Sequence, residues 1–578
     1  MSGTQDGAGW FRQMFSSGGY EELPTTTVKD KNVKDKAENT QIMPRRFLRL
    51  STRGFLLVLA AILLVPTFLA LAALEGRQYL SDGTADVFEM GEGSDAAHPP
   101  VASPNPAAGV PVMVKPPKKV ANIFNRRLVI LLPANAPGVN VCKAIVTAIA
   151  LGYPAPVILN WGKSGSHLAK IAGVLDYLDW SARQSGKDHL HEDDLIMIAD
   201  SADSWFQLPP SVLLWRYHAL NEEANERLRK QWPHKSEMPM KQTIMVSAQK
   251  RCWPSPNSGM QMRCDDLPDS PLRDDLYGPE TDEDPVLRMV DVRPKYLNSG
   301  AFIGPVGDMR KYFRRAQERY ELLKAEQGNH FYSDQGFFGE IWGEQEVWRK
   351  WRREIGDAID PSHNVSTMVR DQFEFHVGLD YNQTISIPTV FEEDDGDIVT
   401  LNNQTYIAER SQELGIEPVR LTAIPEEIAN ATNPLARILT EEEGRHSLNW
   451  GDMTMYADFF TTAIPVNVHH NAHINNLKQR RVLWWDRMWF FPYLRKLVNA
   501  QLTQRRQQPL ARVEIPEGRA VYWGLEKYRT IRRFMPAQRD MVPIDFDAVC
   551  TSTWAKKHNQ NWWDVVFQDN EGPLVLQA

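Results

Sequence analysis

Leu195-Ile-Met-Ile-Ala-Asp-Ser-Ala-Asp203 decides the fold. Its first five residues are apolar without interruption, the pattern of a strand buried on both faces between layers of helix. The run stops at Asp200, and the Asp-x-x-Asp spacing that follows can direct two carboxylates at one hard cation. In open α/β sheets ligands bind beyond the carboxyl ends of the strands, and Asp200 and Asp203 fall at such an end. An acidic pair in a turn is more often a cap or a solvated surface. Its place directly after a buried strand is what lifts it above that reading.

Working outward, Val129-Ile-Leu-Leu132 and Pro156-Val-Ile-Leu159 read as two earlier buried strands. Leu168, Ile171, Ala172, Leu175 and Leu178 then follow helical spacing. Pro209 and Pro210 suit the start of a helix reaching towards Trp232. Ile244–Val246, Ala301–Ile303 and Phe375–Val377 read as further strands, with helical stretches near 306–327 and 333–354. Strands alternating with helices predict an α/β fold, a mixed, mainly parallel sheet flanked by helices, over residues 125–482. Two stretches, 264–291 and 394–458, break the alternation and read as surface insertions. Residues 483–578 form a basic, aromatic C-terminal extension with no fold of its own assigned. Trp484, Trp485, Trp489, Phe490 and Phe491 could pack on the core or touch a membrane surface, and core packing is the expectation.

Before this domain the composition changes twice. Phe55–Leu74 is an uncharged run of about the length that crosses a hydrocarbon core, so 54–75 reads as a transmembrane signal anchor. Arg45, Arg46, Arg49 and Arg53 precede it, which places the polar tail 1–53, read as disordered, in the cytoplasm. Residues 76–124, with Pro99, Pro100, Pro104, Pro106, Pro111, Pro116 and Pro117, read as a semi-extended stalk. The expectation is a single-pass type II membrane protein with its large domain in the secretory lumen. Sequons at Asn364, Asn382, Asn403 and Asn430 are compatible with that placement.

Net charge is −8, so electrostatics point to no nucleic-acid partner. Four cysteines are too few for a disulfide scaffold, and no paired Cys or His spacing makes a zinc knuckle. Cys252 and Cys264 are close enough to bridge a loop, but spacing fixes no pairing. Trp161-Gly-Lys-Ser164 resembles the end of a phosphate loop, yet Val157 stands where its first glycine belongs. There is no GxGxxG after the first strand and no GxSxG.

Three further motifs carry chemistry. In Val468-His-His-Asn471 an imidazole can complete an oxygen-rich Mn²⁺ site, a donor set that suits manganese better than calcium. In Asn298-Ser-Gly-Ala-Phe-Ile-Gly304 the glycines permit close backbone approach, while Asn298 and Ser299 can hydrogen-bond a hydroxylated ligand. Ser333-Asp-Gln335 opens a helix, where Asp334 either caps or faces a ligand.

Taken in order, Asp194–Asp203, Cys252-Trp-Pro254, Tyr296–Gly304, Ser333-Asp-Gln335, Val377-Gly-Leu-Asp380 and Val468–Asn471 resemble one family. The chain is similar, over roughly residues 127–480, to the glycosyltransferase module of procollagen lysyl hydroxylases and more distantly to procollagen galactosyltransferases. That resemblance implies a GT-A fold, a UDP-sugar donor and Mn²⁺. It implies Asp200, Asp203 and His469 as metal ligands, and Lys170, Trp253, Asn298, Ser299, Gly300 and Asn471 as donor-binding. Asp334 and Gln335 fall on the acidic stretch needed for transfer. The sequence departs from the pattern where the acidic run shrinks to Asp334 beside Ser333, and where His470 and Ala472 replace glycines. No His-x-Asp…His iron site, and no segment of the right length after residue 490, suggests a lysyl hydroxylase domain, so neither that activity nor a collagen acceptor is inherited. The expectation is a UDP-sugar-dependent hexosyltransferase of the Golgi or endoplasmic reticulum membrane. It would act on a glycan or glycoprotein acceptor, with homodimer formation left open. The other reading is a non-catalytic sugar-binding or scaffolding membrane protein on the same fold.

Overall fold

The computed structural model describes residues 122–576, apart from 164–166, 187–188, 255–257, 286–287, 329–332, 357–372, 473–479, 505–507 and 526–529. The tail, the apolar segment 54–75 and the stalk up to 121 lie outside the described residues, as does Asn364. Among the described residues no helix is long and apolar enough to cross a membrane.

The molecule is a mixed α/β structure whose central sheet is largely parallel and flanked by helices. Its strands in chain order are β1 (Ile123–Pro133), β2 (Val157–Leu159), β3 (Leu195–Ala199), β4 (Ser204–Phe206), β5 (Ile244–Gln249), β6 (Tyr296–Pro305), β7 (Val377–Asp380), β8 (Ser386–Pro388), β9 (Gly396–Thr400), β10 (Thr454–Asp458), β11 (Asn467–His469), β12 (Ala511–Ile515), β13 (Gly518–Trp523), β14 (Arg532–Met535) and β15 (Asp540–Pro543). The central sheet runs β15-β14-β2-β1-β3-β6-β5-β7, with β13 beside the first half of β1 and β12 outside it. β6 is antiparallel to both of its neighbours, whereas β1 is parallel to β2, β3 and β13. Two small sheets, β9–β10 and β4-β11-β8, stand beside it among the described residues.

The uninterrupted apolar runs are explained by burial on both faces. Along β1, Leu128, Ile130 and Leu132 enter one core while Val129 and Leu131 enter the other. Along β3 the same alternation sends Leu195 and Met197 one way and Ile196 and Ile198 the other. Each such side chain contributes about 2 kcal/mol of apolar burial. Helix α1 (Val139–Ala150) covers the first face. Helices α2 (Ala169–Ala182), α4 (Val306–Gln327) and α5 (Gln335–Ile355) cover the second. Helix α3 (Pro210–Gln231) starts at the expected proline pair.

Three sequence readings shift. The strand expected at Phe375–Val377 begins at Val377, because His376 adopts a left-handed backbone (φ 61°) that ends extended pairing before it. The stretch 394–458 is not a surface insertion: Ile398, Val399, Leu401 and Ile407 join the same core as β1. The C-terminal segment is integral to the sheet, since β13 pairs with Ile123–Arg127 and β14 with β2. Cys550, after β15, is disulfide-bonded to Cys142 in α1 across 408 residues, closing a long loop in the unfolded chain. Cys252 and Cys264 form the other bridge. The stretch 264–291 has no strand or α-helix among its described residues, but Leu267 and Leu276 are buried and Leu267 joins the second core. It is gathered by Arg293, which donates to Asp282 (2.6 Å) and to Leu272 O (2.8 Å). Trp484, Trp485, Trp489 and Phe490 are buried in the core, as expected, and Phe491 packs against it half-buried.

Candidate metal centre

The acidic turn is held where the sheet ends. As β3 stops, the Asp200 N–H donates to Gly300 O (2.9 Å) on the neighbouring β6. The turn leads straight into β4, whose antiparallel pairing with β11 sets Ser204 opposite His469. The register therefore delivers a histidine from the far end of the domain to the carboxylates. His469 Nε2 lies 3.3 Å from Asp203 Oδ1 and 3.7 Å from Asp200 Oδ2. Donor atoms of Asp200, Asp203 and His469 all fall within 4.8 Å of one another, so the cluster can hold a metal ion. Asp200, 28% exposed in its side chain, gives the cluster its opening to solvent. Two carboxylates and an imidazole are a chemically sound set for a divalent cation that keeps open positions for oxygen ligands.

β6 forms the facing wall. Its pairing with β5 slips between Phe302 and Asn298, which leaves Ser299, Gly300 and Ala301 without partners on that strand. Side chains take up the freed backbone groups. Gly300 N–H donates to Asn298 Oδ1 (2.9 Å), and Ser299 N–H to Gln335 Oε1 (3.2 Å). Ser299 O accepts from Lys170 Nζ (2.8 Å). Gly300 is required by space, because a Cβ there would stand 2.2 Å from His469 Nδ1.

The remaining expected residues converge on the same place. Lys170, at the start of α2, reaches Asp200 Oδ1 (3.0 Å) and Asp334 Oδ2 (2.7 Å). Burial disfavours its ammonium, but the two carboxylates outweigh burial and hold its pKa above the ordinary lysine range. Asp334, next to the first residue of α5, is 3% exposed. Gln335 also donates to Trp253 O (2.8 Å), tying the disulfide-bridged loop after β5 to the bulge. Asn471 accepts from Val390 N–H (3.1 Å) through Oδ1, which leaves its NH₂ as the end able to face a ligand. His470 turns into the core, its ring 4.2 Å from that of Trp205, and burial pulls its pKa down to about 3, so it is a neutral packing residue.

Two supporting elements are new. Gln249 ends β5, accepts from Asn298 Nδ2 (2.7 Å) and donates to Arg251 O (2.6 Å), thereby orienting the asparagine that caps the bulge. The loop after β8 supports the histidine, with Thr389 N–H donating to His469 O (2.9 Å). Neither announces itself locally: a glutamine at a strand end and a loop threonine acquire these roles only through pairing. Compared with protein-family models and with curated proteins, the chain matches none.

Proposed function

We propose that the chain is a metal-dependent glycosyltransferase of GT-A type, moving a hexose from a UDP-sugar to a glycan or glycoprotein acceptor. The observation that carries this reading is the convergence of Asp200, Asp203 and His469 with the Asn298–Gly300 bulge, beyond the carboxyl end of β3. A divalent cation, Mn²⁺ by its donor set, supplies charge neutralisation for a departing nucleoside diphosphate. The chain's own groups orient: the Ser299–Gly300 backbone, pinned by Asn298, Gln335 and Lys170, forms a fixed wall beside the cluster, and the Trp253 loop, fixed through Gln335, borders it. Pre-set backbone of this kind gives positional precision without reorganisation during transfer.

The test is a panel of UDP-sugars incubated with the purified full-length chain, with and without Mn²⁺. UDP release from one or more donors, stopped by chelator and restored by Mn²⁺, is the expected outcome. A folded protein that binds Mn²⁺ and UDP but releases no UDP from any donor would be the non-catalytic sugar-binding protein of the second reading. The burial of Asp334 against Lys170 is the observation on that side.

Luminal placement is part of the proposal. All four cysteines are paired, as an oxidising compartment permits. Asn403 and Asn430 are exposed, whereas Asn382 is half-buried. Chain expressed in a eukaryotic secretory pathway is therefore expected to carry N-glycans at Asn403 and Asn430, read as a mobility shift on glycosidase treatment that Asn403→Gln and Asn430→Gln each reduce. An unshifted wild type would sink the luminal assignment.

A further inference from the structure

We propose that Lys170 is a built-in competitor of the divalent cation: a positioning residue that holds Asp200 and Asp334 ready and limits how tightly the centre keeps its metal. The inference rests on the metal-binding part of the function proposed above and extends it. An ammonium has three N–H donors. Lys170 Nζ donates to Asp200 Oδ1 at 3.0 Å and Ser299 O at 2.8 Å and is ion-paired with Asp334 Oδ2 at 2.7 Å. The side chain is 4% exposed, and its Nζ lies 6.0 Å from the centre of the Phe302 ring, so water does not substitute for these contacts.

Asp200 is thus divided. One oxygen is bound to Lys170, and the other faces His469 Nε2 at 3.7 Å. A cation held by Asp200, Asp203 and His469 must share the Asp200 carboxylate with a positive charge that has nowhere else to go. Like charges drawn to one carboxylate in a partly buried site oppose each other strongly, because little solvent screens them. Metal affinity is therefore lower than the three ligands alone would give. The two carboxylates also differ in what they can do. Asp334 is buried at 4% side-chain exposure and anchors the ammonium, whereas Asp200 reaches solvent and can turn towards the cation. When it does, one Lys170 N–H is released. Asp334 then serves to hold Lys170, and its carboxylate, already bound to an ammonium, is a poor base for an acceptor hydroxyl.

The experiment is a Mn²⁺ titration of the full-length chain, reading free ion by electron paramagnetic resonance, for wild type, the double variant Lys170→Met/Asp334→Asn, and Lys170→Gln. The double variant removes the ammonium together with its buried partner, so no uncompensated charge remains in the interior. Lys170→Gln keeps a donor at the position and loses only the charge. Both are expected to bind Mn²⁺ at least roughly tenfold more tightly than wild type, with melting curves establishing that they are folded. Unchanged or weaker binding in a folded variant overturns the role assigned to Lys170. Failure of folded wild type itself to bind Mn²⁺ removes the metal centre, and with it this inference.

Discussion

Gly300→Ala is expected to weaken divalent-metal binding on the order of a hundredfold and to abolish metal-dependent UDP release, although it adds a single methyl group. The new Cβ would lie 2.2 Å from His469 Nδ1, 2.3 Å from its Cε1 and 2.8 Å from Asn298 Oδ1. Both side chains are buried, at 4% and 3% exposure, so neither can swing into solvent to make room. His469 must rotate or retreat, and either motion takes Nε2 away from its 3.3 Å approach to Asp203. Overpacking of this kind also costs about 1–3 kcal/mol of stability. Gly304→Ala separates the two effects. Its Cβ would meet Ile244 Cγ1 at 2.9 Å, in the core and away from the ligands, so it should destabilise the fold while leaving metal affinity intact. Isothermal titration with Mn²⁺ on both folded variants decides the matter. Equal affinities would mean that the Gly300 cradle does not set the histidine.

What could be read from the sequence divides along a physical line. A strand buried on both faces announces itself as an apolar run, and Leu195–Ala199 lies where that run places it. Direction does not announce itself: nothing in Ala301-Phe-Ile303 says that β6 runs against its neighbours, because side-chain burial is blind to strand polarity. The late strands were hidden for a further reason. Ala511–Ile515 and Arg532–Met535 are short, half-exposed and charged, since each lies near an edge of the sheet. The three residues of the candidate cluster were legible as motifs, and their meeting follows from one register, Ser204 opposite His469. The use of Lys170 was not. A lysine in the first turn of a helix carries no sign that Asp200 and Asp334, both distant in sequence, take up its charge. Nor does any local pattern announce the 408-residue Cys142–Cys550 bridge.

The stability that Asp458 contributes is expected to drain away as pH rises from about 4 to about 7, and Asp458→Asn is expected to remove that dependence. Asp458 ends β10 with no exposed surface. Its Oδ1 accepts from Phe460 N–H (2.9 Å), Thr461 N–H (2.7 Å) and Thr461 Oγ1 (2.8 Å), while Oδ2 finds no hydrogen-bond partner among the described residues. Asp395 and Glu392 are buried near it, and the ammonium among them is Lys250, which pairs with Asp395 and donates to Val290 O (2.6 Å). Burial and then the Asp395 charge push the Asp458 carboxyl up to about 7, against the opposing pull of the Thr461 N–H and Lys250. Burial likewise raises Asp395 and Glu392. A carboxyl raised on folding keeps a proton that the unfolded chain, with an ordinary value of about 3.9, has already lost. Its contribution is complete below about pH 4, drains away as pH climbs towards 7, and changes no further above that. One such proton makes the slope at most about 1.4 kcal/mol per pH unit. Asparagine keeps the Oδ1 acceptor and cannot ionise, so the variant should melt higher than wild type at pH 8 and lose that advantage at pH 4. Thermal melts of both proteins from pH 4 to 8 measure this, and parallel curves would refute it. Glu392 and Asp395 follow shortly after Thr389 and Val390, whose N–H groups donate to His469 O and Asn471 Oδ1, so the acidic cluster borders the loop that supports the candidate ligands.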